Sequence, residues 1–179
     1  VARVDPALFS PRGDGRKRFR RGQMIHGLLQ RLPEIEESRR EAAALAWLAR
    51  QGVGETEAPE FAREAMRVAA DKRFAPVFGP NSRAEAPIVG EAAGKPVRGI
   101  VDRIVVEDSR VLVLDFKTDR PAPTDPAAAP DAYVLQLALF RAVLRKIFPA
   151  KAVSCALLWT EAPHLMELPE DRLDDVFAS

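Results

Sequence analysis

The sequence lacks several features that would define its class at once. It has a single cysteine, so the chain can form neither an internal disulfide nor a multi-thiolate zinc or iron–sulfur site. No apolar run reaches the roughly 20 residues that span a bilayer, and residues 1–5 contain no apolar segment typical of a secretory signal. We therefore expect no disulfide scaffold, no membrane association and, by default, a cytoplasmic location.

A strong net charge is absent as well. The 179 residues include 27 Lys and Arg against 26 Asp and Glu, a formal charge of +1, which argues against a purely electrostatic nucleic-acid binder. The hydrophobic content of 47% is sufficient for a core and excludes general disorder. The length fits one domain, and because the chain starts with Val1 rather than Met, we expect a fragment of a longer protein.

The charges are unevenly distributed along the chain. Residues 1–31 carry eight basic and two acidic side chains, whereas the last nineteen residues carry six acidic side chains and one arginine. We interpret 1–18 as a basic arm and 19–179 as the folded domain. The simplest interpretation of the ends is a solvated arm and an acidic tail; the sharper one is an N-terminal end that faces phosphate groups.

Hydrophobic periodicity predicts helices first and strands later. Apolar stripes of helical spacing predict a layer of three helices, at about 19–32, 36–51 and 59–71. The period then changes, and β-branched runs predict three strands, at about 84–89, 97–106 and 111–117.

The C-terminal part alternates again between the two periods. After a proline-rich loop at 120–130, the pattern predicts a helix at 132–148 that Asp131 caps, then a buried strand at 152–159 and a weaker one at 165–168. Together the elements predict an α/β (α+β) sandwich, a small mixed β-sheet flanked by helices. Such an architecture alone decides no function.

Two of the strands are close enough in sequence to form a hairpin. Whether its loop is 108–109 or 107–110, the numbers of paired residues sum to 217. Asp102 is then directly across from Asp115, with β-carbons about 5 Å apart, where like charges destabilise a sheet. Regular alternation would place Val101, Arg103 and Val105 together on the opposite face.

A divalent cation would remove this repulsion. Mg²⁺ takes one or two carboxylates and completes its octahedron with water and phosphate oxygens. Lys117 lies two residues past Asp115 and projects to the same side. Two carboxylates, one ammonium, one divalent ion and one phosphodiester sum to zero charge. The alternative is structural: both aspartates cap strand ends and pair with Arg103 and Lys117.

Five segments in consistent order resemble motifs of a known family. They are RGQMIHGLLQRLP at 21–33, AEAPI at 84–88, GIVDR at 99–103, LDFKT at 114–118 and YVLQLALF at 133–140. Together they resemble the PD-(D/E)XK nuclease superfamily, and more narrowly the RecB-like nuclease domain at the C-terminus of AddA-type helicase–nuclease subunits.

The resemblance implies a restriction-endonuclease-like fold and a Mg²⁺-dependent DNA exonuclease, with Mn²⁺ as an alternative ion, in bacterial double-strand-break repair and recombination. It implies a catalytic Lys117, and Glu85 in the same site. The ion would be bound by three side chains and one backbone carbonyl, those of His26, Asp102, Asp115 and Phe116. It further places two helix residues near DNA, Tyr133 and Gln136. On charge alone, the basic stretch from Arg12 to Arg21 would help guide the strand to the site, with Arg18, Arg20 and Arg21 as the expected DNA contacts.

Each of these residues also has an ordinary interpretation. His26 on an apolar helix is more often a core histidine, Glu85 could be a surface residue, and Tyr133 with Gln136 could border a packing face. His164 matches no motif, and we interpret it as a surface or structural residue.

The resemblance has departures and open alternatives. Phe116 and Phe140 stand where relatives often have Tyr, so any hydroxyl contact is lost there. Cys155 alone cannot bind the iron–sulfur cluster of AddB-type relatives and is expected in the core. The expected partners are DNA, an AddB-type subunit and helicase domains upstream in the same chain. A stand-alone RecB-like exonuclease and a non-catalytic DNA-binding or subunit-interface module are the alternatives.

Overall fold

Helices cover both faces of one mixed sheet in the computed structural model, which describes residues 2–3 and 15–177. Three helices form the first layer: α1 (Gly15–Arg31), α2 (Arg40–Arg50) and α3 (Ala58–Ala69). Two short 3-10 turns lie between α1 and α2, at Leu32–Glu34 and Glu37–Arg39, and a longer one follows α3 at Lys72–Phe78. Their apolar stripes form one core with the sheet side chains Leu114, Phe116 and Leu158.

Within residues 2–3 and 15–177 the sheet has six strands. They are β1 (Ala2–Arg3), β2 (Ser82–Ala92), β3 (Lys95–Val106), β4 (Arg110–Lys117), β5 (Ala152–Trp159) and β6 (His164–Glu167). β4 and β5 are parallel, whereas the β2–β3, β3–β4 and β5–β6 pairs are antiparallel. The sandwich of helices around a mixed sheet confirms the predicted α+β class.

The second helical layer consists mainly of α4 (Asp131–Ile147), with the short α5 (Glu170–Asp175) beside it. The buried side of α4, including Leu137, Phe140 and Leu144, packs on β2, β3 and β5. Within the described ranges, no helix has both the length and the apolarity to cross a bilayer.

Most predicted elements are present, with shifted ends. The strand predicted at 152–159 has those bounds. Helix α1 begins four residues earlier than expected, so 15–18 of the predicted arm are helical, and Ala2–Arg3 pair with β3; positions 4–14 lie outside the described residues. The second helix is shorter because a 3-10 turn occupies 37–39. Asp131 is the first residue of α4 rather than its cap, a position that Pro130 takes.

The predicted hairpin register is confirmed where the two strands pair. Arg103 lies opposite Leu114 and Val106 opposite Val111, so the numbers sum to 217. The pairing stops there and does not continue to Ile100 and Lys117 as expected. The other edge of β3 pairs with β2, but that ladder skips Glu85, the residue level with Asp102. Both ladders therefore break at Asp102.

Side-chain alternation along β3 also reverses at this break. Val101 belongs to the core beneath α4, whereas Arg103 donates to the Leu29 carbonyl of α1 on the other layer. Residues two apart in a regular strand share a face, so the prediction that Val101 and Arg103 do so is wrong. Glu85, in the neighbouring strand, has a φ of +52°, in the left-handed region that non-glycine residues rarely adopt.

Gly99 allows α4 to approach β3 closely. A β-carbon at this position would lie 2.6 Å from Cζ of the buried Phe140. We predict that Gly99→Ala lowers the free energy of unfolding by about 1–3 kcal/mol, because the phenyl ring has no room to retreat. Gly54→Ala is the control, since its new β-carbon would have no neighbour closer than 4.0 Å. Urea unfolding of both variants measures the difference; equal stabilities would contradict this packing.

Candidate functional site

Three carboxylates lie in one row across neighbouring strands. Glu85 on β2 is level with Asp102 on β3, as the flanking pairs Ala84–Arg103 and Ala86–Val101 show. Asp115 on β4 is the next position after the last registered pair of the hairpin. The row is formed where both ladders break, so backbone groups and side chains there are available for other contacts.

Asp102 joins α1 to β4. Its Oδ2 accepts a hydrogen bond from the backbone N–H of Phe116 at 2.7 Å, and its Oδ1 lies 3.3 Å from Nδ1 of His26. Burial disfavours the charged carboxylate, but the neighbouring imidazole and these hydrogen bonds outweigh burial and lower the pKa of Asp102. Burial also opposes a charged His26, yet Asp102 raises the pKa of that imidazole.

Asp115 and Lys117 form a second pair in the same cluster. The ammonium of Lys117 contacts Oδ2 of Asp115, and both side chains are almost buried. Burial, followed by the charge of Asp102, raises the pKa of Asp115 despite the opposing effect of Lys117. Two buried carboxylates thus lie close together, with Lys117 and, when it is protonated, His26 as the positive charges beside them.

The ring of Tyr133 on α4 packs against the ammonium group of Lys117. The ammonium lies 3.6 Å from the centroid of its ring, a cation–π contact. Its hydroxyl donates to Oδ2 of Asp119 at 2.6 Å. Burial and this carboxylate raise the pKa of Tyr133. The structure thus places Tyr133 within the cluster, whereas Gln136, one turn later, is half-buried on α4.

Glu85 lies at the exposed end of the row. Its Oε1 accepts a hydrogen bond from Nε2 of Gln30 on α1 at 2.5 Å. Partial burial, together with the charge of Asp102, raises the pKa of this carboxyl group. The side chain is therefore on the surface, as the ordinary interpretation expected, and adjacent to the buried acids.

The arginines expected to contact DNA have protein partners. Arg20 donates to the Gly52 carbonyl at 2.5 Å. Arg21 donates to the Thr118 carbonyl at 2.9 Å and forms an ion pair with the buried Glu64. The side chain of Arg18 lies outside the described residues. A DNA contact by Arg20 or Arg21 remains a prediction.

The residues around this break offer the types of donor atom that bind a hard divalent ion. An imidazole, two carboxylates and the Phe116 carbonyl are ligands that such ions accept. Within the part of the chain that the structure describes, however, no three His, Cys, Asp or Glu side chains form a ready cluster. Asp102 faces His26, and Asp115 faces Lys117. Ion binding would require Asp115 to turn from Lys117 toward Asp102 and His26.

Comparison with known proteins identifies the family. The model of the PD-(D/E)XK nuclease superfamily matches residues 2–175. The chain belongs to this superfamily. Its members are generally nucleases, and they typically use divalent metal ions.

The remaining comparisons add little to the superfamily assignment. No curated protein matches the sequence. A solved structure titled "Crystal structure of SSO0001" is similar to this chain, with 16% sequence identity, a TM-score of 0.37, and coverage of 84% of this chain and 71% of that one.

Glu64 was not among the predicted site residues, yet its buried side chain contacts two of the segments that carry the site. It lies on α3, three residues after Phe61 and four before Val68, within the apolar stripe of that helix. A charged residue in a stripe of helical spacing was the available signal, because such a side chain is buried only when it is paired.

His164 and Cys155 both contact backbone carbonyls. Both ring nitrogens of His164 lie within hydrogen-bond distance of carbonyls, those of Ala162 at 2.8 Å and Pro123 at 2.9 Å. Cys155 is fully buried, and its thiol contacts the Leu137 carbonyl.

Cys155 provides a test of this core. Burial raises the pKa of its thiol to about 12, so almost no reactive thiolate exists at pH 8. We predict that a thiol-reactive dye labels the native protein at least about a hundredfold more slowly than the urea-unfolded protein, as followed by absorbance. Rapid labelling of the native state would show that the strand around Cys155 is accessible.

Proposed function

We propose that this nuclease-superfamily domain is a Mg²⁺-dependent DNA exonuclease. The observation that supports the proposal most is the convergence of His26, Asp102, Asp115 and Lys117 from three elements around one break in the sheet. A purely structural domain gains nothing from burying two adjacent carboxylates, since repulsion and desolvation both cost free energy.

The proposed ion site uses the residues that the sequence suggested. His26, Asp102, Asp115 and the Phe116 carbonyl would hold the ion; when bound, it would lower the pKa of a water molecule and stabilise charge on phosphoryl oxygens. The Asp102 carboxylate already fixes the Phe116 backbone through its N–H. That contact fixes the Asp115–Phe116 peptide group, directly before the peptide group whose carbonyl is the proposed backbone ligand.

Lys117 has the role of a positioned cation. The ring of Tyr133 and the carboxylate of Asp115 hold its ammonium at the end of β4. From there it would donate to an oxygen of the scissile phosphate or to the attacking water, where negative charge increases in the transition state. A cation fixed in advance stabilises that charge without reorganising during the reaction.

The cellular role is a finer part of the proposal. By its motifs, the chain would be the nuclease domain of an AddA-type subunit in the cytoplasm, with helicase domains upstream and an AddB-type partner, acting in double-strand-break repair and recombination. Helicase motifs in the complete reading frame, together with co-purification of an AddB-type subunit, would support this role. A short reading frame without helicase motifs would instead indicate the stand-alone exonuclease.

The cleavage activity has a direct test in two alanine variants. Lys117→Ala and Asp115→Ala should each reduce Mg²⁺-dependent cleavage of linear DNA by at least about a hundredfold, because the first removes the cation beside the reacting phosphate and the second removes a proposed ligand of the ion. Cleavage is measured by gel electrophoresis of end-labelled DNA, with and without EDTA.

Two surface variants serve as controls. Lys95→Ala and Asp108→Ala remove the same types of charge at exposed positions, the first residue of β3 and the turn before β4, and both should retain full activity. Circular dichroism confirms that each variant is folded. Unchanged cleavage by folded Lys117→Ala and Asp115→Ala would reject the proposed site.

A further inference from the structure

Glu64 is a buried carboxylate on a helix that carries none of the proposed ligands. Its residue is 2% exposed, within the apolar stripe of α3. A charge in such surroundings is retained only when its lone pairs are satisfied. The side chains that satisfy it therefore reveal what Glu64 holds together.

Three donors from distant parts of the chain converge on this carboxylate. Its Oε2 accepts from Nη2 of Arg21 and, at 2.9 Å, from Nη2 of Arg120. Its Oε1 accepts from the hydroxyl of Thr160, which is fully buried, at 2.5 Å. We name Glu64, Arg21, Arg120 and Thr160 the Glu64 cluster.

Each donor also belongs to a segment next to the candidate site. Arg21 lies on α1, five residues before His26, and its other Nη atom donates to the Thr118 carbonyl at 2.9 Å. The N–H of Thr160 donates to the Lys117 carbonyl at 2.9 Å. The carbonyls of Lys117 and Thr118 thus each accept a hydrogen bond from a member of the Glu64 cluster.

The helix with His26 also approaches this backbone closely. A β-carbon at Gly22 would lie 3.0 Å from Oγ1 of Thr118. Arg21, on the same helix, contacts Thr118 just past the end of β4 and Glu64 on α3. The distance between α1 and the end of β4 therefore depends on the guanidinium of Arg21, which Glu64 fixes.

We infer that Glu64 is a positioning residue for the proposed nuclease site. It touches neither ion nor DNA; through Arg21 and Thr160 it holds the Lys117 backbone at a fixed distance from the helix that carries His26. The effect of Glu64 on catalysis rests on the proposed function, whereas its role in holding the Lys117 backbone does not. A small displacement of a catalytic group costs a large factor in rate.

The experiment compares two glutamates that both contact Arg120. Glu64→Gln removes the buried charge, whereas Glu60→Gln is the control, because Glu60 contacts Arg120 at 3.2 Å from an exposed position. For Glu64→Gln we expect kcat for Mg²⁺-dependent DNA cleavage to fall about tenfold to a hundredfold, with KM for DNA within about twofold. Glu60→Gln should match the unmodified protein in both.

A second measurement does not depend on activity. Hydrogen exchange of the Phe116 and Thr160 amides, read by mass spectrometry, should be at least about fivefold faster in Glu64→Gln and unchanged in Glu60→Gln. If Glu64→Gln does not fold, Thr160→Val replaces it, since it removes one donor and keeps the shape. Thr160→Ser, which keeps the hydroxyl, should restore the values of the unmodified protein.

The outcomes separate the two claims. If the unmodified protein cleaves DNA, and folded Glu64→Gln or Thr160→Val has the same kcat and the same exchange rates, the positioning role is wrong. If the unmodified protein cleaves no DNA with Mg²⁺ or Mn²⁺, the proposed function fails, while faster exchange at Phe116 and Thr160 would still support the role of Glu64 in holding the segment.

Discussion

The repulsion between Asp102 and Asp115 is the constraint on which the arrangement of this domain depends. Two carboxylates that meet in a sheet repel each other, and burial adds the cost of removing them from water. The ladder between β3 and β4 ends at the pair Arg103–Leu114, one position before the two aspartates would pair. The side chain of Asp102 instead accepts a hydrogen bond from the Phe116 N–H. His26 and Lys117 then supply the nearest positive charge. A divalent ion would complete this compensation.

The helical layer keeps those charges in place. Helix α1 is attached near its start through Arg21 to Glu64 and Thr118, and near its end through the buried Arg103, which donates to the Leu29 carbonyl. His26 lies between these two attachments and faces Asp102. The polar contacts therefore fix the part of α1 that matters for the site, while the apolar stripe of the helix supplies most of the burial.

The sequence predicted what depends on local pattern and missed what depends on distant contacts. The bounds of β5 follow from an unbroken apolar run and the hairpin register from two strands joined by a short turn, and the structure agrees where the strands pair. The reversal of β3 at Asp102 was not predicted, because period-two alternation assumes an unbroken strand, whereas Val101 packs in the core beneath α4 and Arg103 donates to the Leu29 carbonyl of α1. Glu64 was missed for a related reason: its partners lie 43, 56 and 96 residues away.

The central claim is that His26, Asp102 and Asp115 together bind a divalent ion. The most direct test is a crystal structure of the domain soaked in Mn²⁺, with anomalous scattering used to locate the metal. The account predicts one strong peak bounded by these three side chains and the Phe116 carbonyl, with Asp115 turned from Lys117 toward the ion. No peak there, at an Mn²⁺ concentration that supports DNA cleavage, would contradict it.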